Sequence, residues 1–349
     1  MQSSPDSRVL ILSLSGIGNF LMHMPALRAV KEAHPHWHVT VAVAPRGTKE
    51  LAEHSPYIDQ VLELSLKQSF PQHVRSIQIL RKQAFSAGIM LSPGQLVKGA
   101  AYMAASGIPT RIGHQYPFII QHNSLFLTHS IPEDAAAHDI EQNLALIKLL
   151  GISVPREARY ELTLPIVNQK EASDILAQLA IPPGRPLVGF HPGSASKFEW
   201  KRWGIENFIA LGKALIEQKQ AHILLFGGPT EADLKEKIKD ALSPHASVIS
   251  HSSLLTTAAL QKTCRFFVSN DSGLMHLAAC AGVETFALFG PTDERKTGPR
   301  GLKSHVIRAA GTQPVYDTEK NNMLGTKNHA TLQRLTVQTV LGQLATSGV

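Results

Sequence analysis

Hydrophobic positions in this chain come in short blocks whose spacing alternates between two regimes. RVLILSLS (8–15) is apolar at most positions and rich in branched residues, the pattern of a parallel strand buried on both faces. The turn Gly16-Ile17-Gly18 cuts it off. A helix is expected from there to about His34-Pro35, with Pro25 either opening its regular part or kinking it. HVTVAVAP (38–45) reads as a second strand, so the first forty-five residues spell one βαβ unit.

Short apolar runs follow at 89–91 and 118–127, and HDIEQNLALIKLLGI (138–152) has the pattern of an amphipathic helix closed by Gly151. VPREARYELTLPIVNQ (154–169) is proline-bounded and aperiodic and is expected to be an extended linker, which divides the chain into domains 1–165 and 166–349. The second half restarts the alternation. PLVGFHPGS, AHILLFGGP, CRFFVSNDSG and VETFALFGP read as strands, and WGIENFIALGKALIEQ, EADLKEKIKDAL and GLMHLAACAG as helices between them. Such alternation predicts an α/β protein with two Rossmann-like parallel-sheet domains facing a central cleft.

Composition narrows the class. The 349 residues, 43% hydrophobic and 17% charged, suffice for two buried cores. Cys264 and Cys280 lack metal-ligand spacing and imply a reducing compartment. The polar N-terminus has no charged n-region or cleavage site, so no export is implied, and no apolar run reaches bilayer length. The expectation is a cytoplasmic protein, at most peripheral to a membrane. Net charge is +7. Between Leu64 and Pro132 there is no Asp or Glu, while Lys67, Arg75, Arg81, Lys82, Lys98 and Arg111 all fall there, which is either a solvated basic face or an anion-binding one. His34, His36 and His38 have no carboxylate or cysteine to complete a metal site, and none is expected.

Ligands of open parallel sheets gather at the carboxyl ends of strands, where helix N-termini offer free amides. Ser269 to His276 (SNDSGLMH) sits at such a place. The amides of Ser272, Gly273 and Leu274 are expected to hold phosphate, Asp271 to accept from sugar hydroxyls, and His276 to brace the loop or touch a phosphate. Gly193 and Ser194, in His-Pro-Gly-Ser, with Lys201 and Arg202 close behind, supply amides, a hydroxyl and countercharge for a pyrophosphate leaving group. Glu231, after Gly227-Gly228, is placed to accept from ribose hydroxyls. The turn at Gly16, Gly18 and Asn19 lies where an acceptor hydroxyl should lose its proton, although Leu21 breaks the GxGxxG fingerprint.

SNDSGLMHLAACAGVETFALFGPTDERKTGPRG, HPGS with KRW, GGPTE, RIGH (111–114) and HDIEQNLALIKLLGI together closely resemble, in order, segments of glycosyltransferase family nine, the lipopolysaccharide heptosyltransferases that use ADP-heptose. The resemblance implies a GT-B fold, an acceptor-binding first domain and a donor-binding second domain. It implies Lys201 on the donor phosphates, Glu231 on the ribose, Asp271 on the heptose, and Ser272 to Leu274 on the pyrophosphate. It further implies inverting transfer of a heptose or related sugar, without a metal or other cofactor, to an acidic inner-core acceptor at the inner membrane's cytoplasmic face, with no nucleic-acid partner.

Gly18, Lys98, Arg111 and His138 are the candidates on the acceptor side. Family members usually carry Asp, the expected general base, where this chain has Asn19, and an amide cannot take a proton at neutral pH. His23, one helical turn on, is the substitute base weighed against a packing histidine, with His138 and Asp139 as further candidates. Alternatives are another nucleotide-sugar, a protein acceptor, or a catalytically silent sugar-nucleotide-binding protein.

Overall fold

The computed structural model describes residues 7–45, 47–92, 96–116, 125–134, 136–154, 158, 161–250, 252–314, 316–317, 322–323 and 330–349. The chain folds as two units, 1–160 and 161–349.

In the first unit, β1 (Arg8–Ser13), β2 (His38–Val43), β3 (Gln60–Glu63), β4 (Ala87–Met90), β5 (Thr110–Gln115) and β6 (His129–Pro132) form one parallel sheet in the order β3-β2-β1-β4-β5-β6. The helices are α1 (Ile17–Ala33), α2 (Thr48–Glu53), α3 (Phe70–Lys82), α4 (Leu96–Ala105) and α5 (Asp139–Lys148). β1 and β2 lie in the middle and are buried at five of six positions each, which is why they read as unbroken apolar runs. α1 starts inside the glycine motif, at Ile17, and continues through Pro25 as an interior residue, where the missing N–H forfeits one helical bond. The apolar run expected at 118–127 lies mostly outside the described residues.

The second unit repeats the plan. α6 (Ile166–Gln178) leads into β7 (Leu187–His191), α7 (Ile205–Lys219), β8 (His222–Leu225), α8 (Ala232–Leu242), β9 (Ala246–Val248), α9 (Leu254–Lys262), β10 (Phe266–Asn270), α10 (Gly273–Cys280), β11 (Thr285–Phe289), α11 (Glu294–Thr297), β12 (Ser304–Arg308), α12 (Ala330–Gln333) and α13 (Val337–Thr346). The parallel order is β12-β11-β10-β7-β8-β9, and its core stacks Phe190, Trp203, Phe208, Phe266 and Phe286. One expectation is corrected: Ile166 to Gln169 are the first turn of α6, not extended linker. Pro165 at the cap, with φ −61°, presets the helical entry, and the following EASDILAQ favours its continuation.

In both sheets the strand order reverses at one place, between β1 and β4 and between β7 and β10. Loops leaving adjacent strands there go to opposite faces and open a crevice at the carboxyl edge.

Candidate functional site

The edge between β7 and β10 is where the second half's polar residues converge. β10 ends in Ser269-Asn270, and Asp271 follows. The Asp271 Oδ2 accepts from Lys201 Nζ at 2.6 Å and from Thr292 Oγ1 at 2.7 Å. Asp271 is 8% exposed. Burial by itself raises its pKa, but the Lys201 charge and the two donated hydrogen bonds outweigh that and hold the carboxyl below its ordinary value. The Lys201 ammonium also lies over the rings of Phe198 and Trp200, at 5.1 and 5.7 Å from their centroids. Asp271 is thus a seat for Lys201 through one oxygen. The sequence assigned that carboxylate to sugar hydroxyls, and only Oδ1 is left without a hydrogen bond from the described residues.

Ser272 caps α10, its hydroxyl accepting from the Met275 N–H at 3.3 Å. The amides of Gly273 and Leu274 carry no hydrogen bond among the described residues, so this helix start presents free donors beside the Lys201 ammonium. His276 is buried one turn inside α10 and adds a small influence that lowers the Asp271 pKa.

His191, at the end of β7, links this helix start to the neighbouring strand. Its Nδ1 lies 2.9 Å from Ser272 Oγ, and its Nε2 lies 3.4 Å from the Glu231 carboxylate. A carboxylate can only accept, so Nε2 carries the proton. Glu231 also accepts from the Gly228 N–H at 2.7 Å through Oε2, while Oε1 is buried 3.4 Å from His191 Nε2 without a hydrogen bond among the described residues. Burial pushes the Glu231 pKa up, but the His191 hydrogen bond and charge, with Gly228 and Arg202, bring it below the usual range. Gly193 is required here for a reason the sequence did not reveal. A Cβ at 193 would stand 1.6 Å from Glu231 Oε1, so the carboxylate packs on the bare backbone.

Ser194 is turned into its own loop. Its hydroxyl donates to Phe198 O and accepts from Arg202 Nε, which commits it to holding the turn. Asn270 was also missed. It donates to Pro192 O at 2.7 Å and accepts from Trp203 N at 3.0 Å, fixing both ends of the segment that carries Lys201.

In the first unit, Gly18 and Asn19 sit in the first turn of α1, at the carboxyl edge of β1. Asn19 is half-buried, and its side chain makes no hydrogen bond with the described residues. His23 does not suit the role of base. It is fully buried, with Nδ1 2.7 Å from Ser13 Oγ and Nε2 2.8 Å from Ser92 O. The carbonyl fixes the proton on Nε2, and burial lowers the pKa to about 4. It is a packing histidine that ties α1 to the second residue after β4.

His138 is buried as the cap of α5, its Nδ1 accepting from the Ile140 N–H at 3.2 Å, and Asp139 is buried beside it. Arg111 is a backbone brace, donating to Phe126 O and Ile108 O at 2.6 Å each. Lys98, on α4, is exposed. Arg111 and His138 are thus both engaged in local structure, while Lys98 faces solvent.

Two parallel sheets of this order, the second with a buried carboxylate, a lysine and a free helix start at its reversal point, have the architecture of GT-B glycosyltransferases. The sequence model of glycosyltransferase family 9 (heptosyltransferase) matches residues 73–327, and the chain belongs to that family. Among relatives, lipopolysaccharide heptosyltransferase 2 of Salmonella typhimurium is 25% identical over 97% of each chain. Lipooligosaccharide heptosyltransferase 2 of Haemophilus influenzae is 25% identical over 86% of this chain and 88% of its own. Among solved structures, a family 9 glycosyltransferase from Veillonella parvula superposes with a TM-score of 0.84 at 20% identity, covering 99% of this chain and 98% of that one. ADP-heptose lipopolysaccharide heptosyltransferase II of E. coli superposes at 0.77 with 22% identity, covering 97% and 98%. The protein is accordingly a glycosyltransferase with the fold expected from its sequence. Among the described residues, no helix is long and apolar enough to cross a membrane.

Proposed function

We propose that the chain transfers a heptose, or a related sugar, from ADP-heptose or a similar nucleotide-sugar to an acidic lipopolysaccharide inner-core acceptor, with inversion, at the cytoplasmic face of the inner membrane. The observation that carries this is the Lys201–Asp271 pair beside the unbonded amides of Gly273 and Leu274. An acceptor oxygen attacks the anomeric carbon from one side while the bond from that carbon to the diphosphate oxygen breaks on the other. Negative charge grows on the departing diphosphate, and a lysine and two amides fixed beforehand stabilise it more than they stabilise the intact donor. Asp271 keeps the ammonium aimed, and its Oδ1 remains for a sugar hydroxyl.

Glu231 is assigned to the ribose. A hydroxyl donating to Oε1 would satisfy a carboxylate oxygen that lies against Gly193 without a hydrogen bond among the described residues. No metal is assigned to the diphosphate, whose countercharge this arrangement supplies from Lys201. Glycosyl transfer to a heptose-deficient core acceptor, followed by mass spectrometry and by NMR of the new anomeric centre, tests the proposal. Inverted heptosyl product, formed equally with and without a chelator, is expected. Retained configuration or strict metal dependence would contradict it.

Asn19 favours a second reading, a sugar-nucleotide-binding protein without turnover, since its amide has no basic lone pair to offer the acceptor hydroxyl. On that reading donor binding persists and no product forms.

A further inference from the structure

We propose that Thr292 is a positioning residue for sugar selection: it fixes the rotation of the Asp271 carboxylate, so that Oδ1 keeps one direction for a hydroxyl of the donor sugar. This deepens the proposed function and rests on its assignment of Oδ1 to that hydroxyl.

Topology brings the two residues together. β11 lies beside β10 in the second sheet, and the loop Gly290-Pro291-Thr292-Asp293 leaves the same carboxyl edge as Asn270-Asp271-Ser272. Thr292 is 1% exposed, and its hydroxyl donates at 2.7 Å to Asp271 Oδ2, the oxygen that also accepts from Lys201 Nζ. The loop itself is clamped. Gly290 packs against Leu332 of α12, where a Cβ would stand 2.3 Å from Cγ. Asp293 caps α11 by accepting from the Arg295 N–H at 3.0 Å. Arg308, at the end of β12, donates to Gly290 O, Thr292 O and the Glu294 carboxylate.

The two donors on Oδ2 differ in kind. The Lys201 ammonium is a point charge on a flexible stem, and a diphosphate arriving beside it competes for that charge. The Thr292 hydroxyl is neutral, short and tied to a clamped backbone, so an anion does not draw it away. A carboxylate held by one flexible donor can turn about its Cβ–Cγ bond, a broad and roughly two-fold torsion, and exchange its oxygens. A second donor from a fixed direction suppresses that rotation. Oδ1 then offers its lone pairs in one direction before and after the ammonium engages the diphosphate, which is the preorganisation needed to tell one arrangement of hydroxyls from another.

Calorimetric titration of the full chain with ADP and with ADP-heptose tests this. Thr292→Val should leave ADP affinity within about threefold of wild type and weaken ADP-heptose by about tenfold, the order expected on losing a hydrogen bond to a charged group. Thr292→Ser, which keeps the hydroxyl, should restore most of the difference. Beside Asp271→Ala, the valine substitution should add less than about threefold, because its effect passes through that carboxylate. Thr292→Ala carries the same comparison if the valine variant does not fold. Equal weakening of ADP and ADP-heptose would make Thr292 a structural support of the pocket and overturn the inference. So would no weakening of either ligand, or an undiminished effect beside Asp271→Ala. A wild-type chain that binds no nucleotide-sugar, or an Asp271→Ala variant that binds ADP-heptose as wild type does, would instead strike the proposed function and this inference with it, a result distinguished by needing no change at position 292.

Discussion

Removing Lys201 gives the most informative perturbation, because the proposed function gives it two separable effects, one on stability and one on transfer. Lys201→Ala strips the counterion from Asp271, a carboxylate with 8% of its surface exposed. Breaking a buried pair on one side typically costs about 3–5 kcal/mol, since the remaining charge is left without compensation. For a unit of this size each kcal/mol moves Tm by roughly 2–4 °C, so a fall of roughly 6–20 °C is expected in thermal unfolding followed by circular dichroism. Asp271→Asn in the same chain removes the stranded charge and should recover most of that loss. Turnover should not recover, because the diphosphate still lacks its cation.

The pH dependence follows from the sign of the shift. In the native pair the Asp271 pKa is depressed, so its contribution is present above the ordinary carboxylate range and is lost as pH falls through the depressed value. Without Lys201, burial becomes the dominant influence and raises the pKa. The variant's deficit should therefore shrink as pH falls towards about 4. The reasoning is refuted if the double variant is as unstable as Lys201→Ala alone, or if Asp271→Asn restores transfer.

Three further outcomes are expected. Gly193→Ala should push the Glu231 carboxylate from its seat, since the new Cβ would stand 1.6 Å from Oε1, and weaken donor binding in calorimetry by at least about tenfold; unchanged affinity would separate Glu231 from the donor. His23→Leu should lower Tm by several degrees through the orphaned Ser13 hydroxyl and the lost bond to the Ser92 carbonyl, which keeps Asn143, yet leave the acidic limb of the pH–rate profile in place; loss of that limb would make His23 the base after all. Asn19→Asp should raise transfer by about a hundredfold or more if a missing base limits the rate, whereas no gain over robust wild-type turnover would mean another group takes the proton.

The alternation of strands and helices was legible because parallel strands buried on both faces appear as continuous apolar runs, as in VLILS and HILLF. α9 was not, since Leu255 to Gln261 are buried all round and leave no polar stripe to mark a helical period. At the site, Asp271, Ser272 and Glu231 could be singled out because each follows a strand end close to glycine or serine, and Lys201 because it is a cation shortly after the His-Pro-Gly-Ser turn. Their partnerships could not. His191 to Ser272 spans 81 residues and Lys201 to Asp271 spans 70, so no local spacing encodes either contact. The same limit explains the acceptor side. Arg111 and His138 have the right chemistry for an anion, and only tertiary structure shows that Arg111 is taken up by backbone carbonyls and His138 by an amide. Asn19 and His23 share the spacing of one helical turn, but the latter points into the sheet, where Ser13 and Ser92 occupy both its nitrogens.

The claim on which all else depends is that the carboxyl edge between β7 and β10 takes the diphosphate of an activated sugar. Isothermal titration of the wild-type chain with ADP-heptose, in parallel with Lys201→Ala/Asp271→Asn, tests it most directly. Saturable heat at one site per chain, lost or weakened by at least about tenfold in the double variant, is expected. The absence of binding by ADP-, GDP-, UDP- and dTDP-sugars alike, or equal affinity in both proteins, would contradict it.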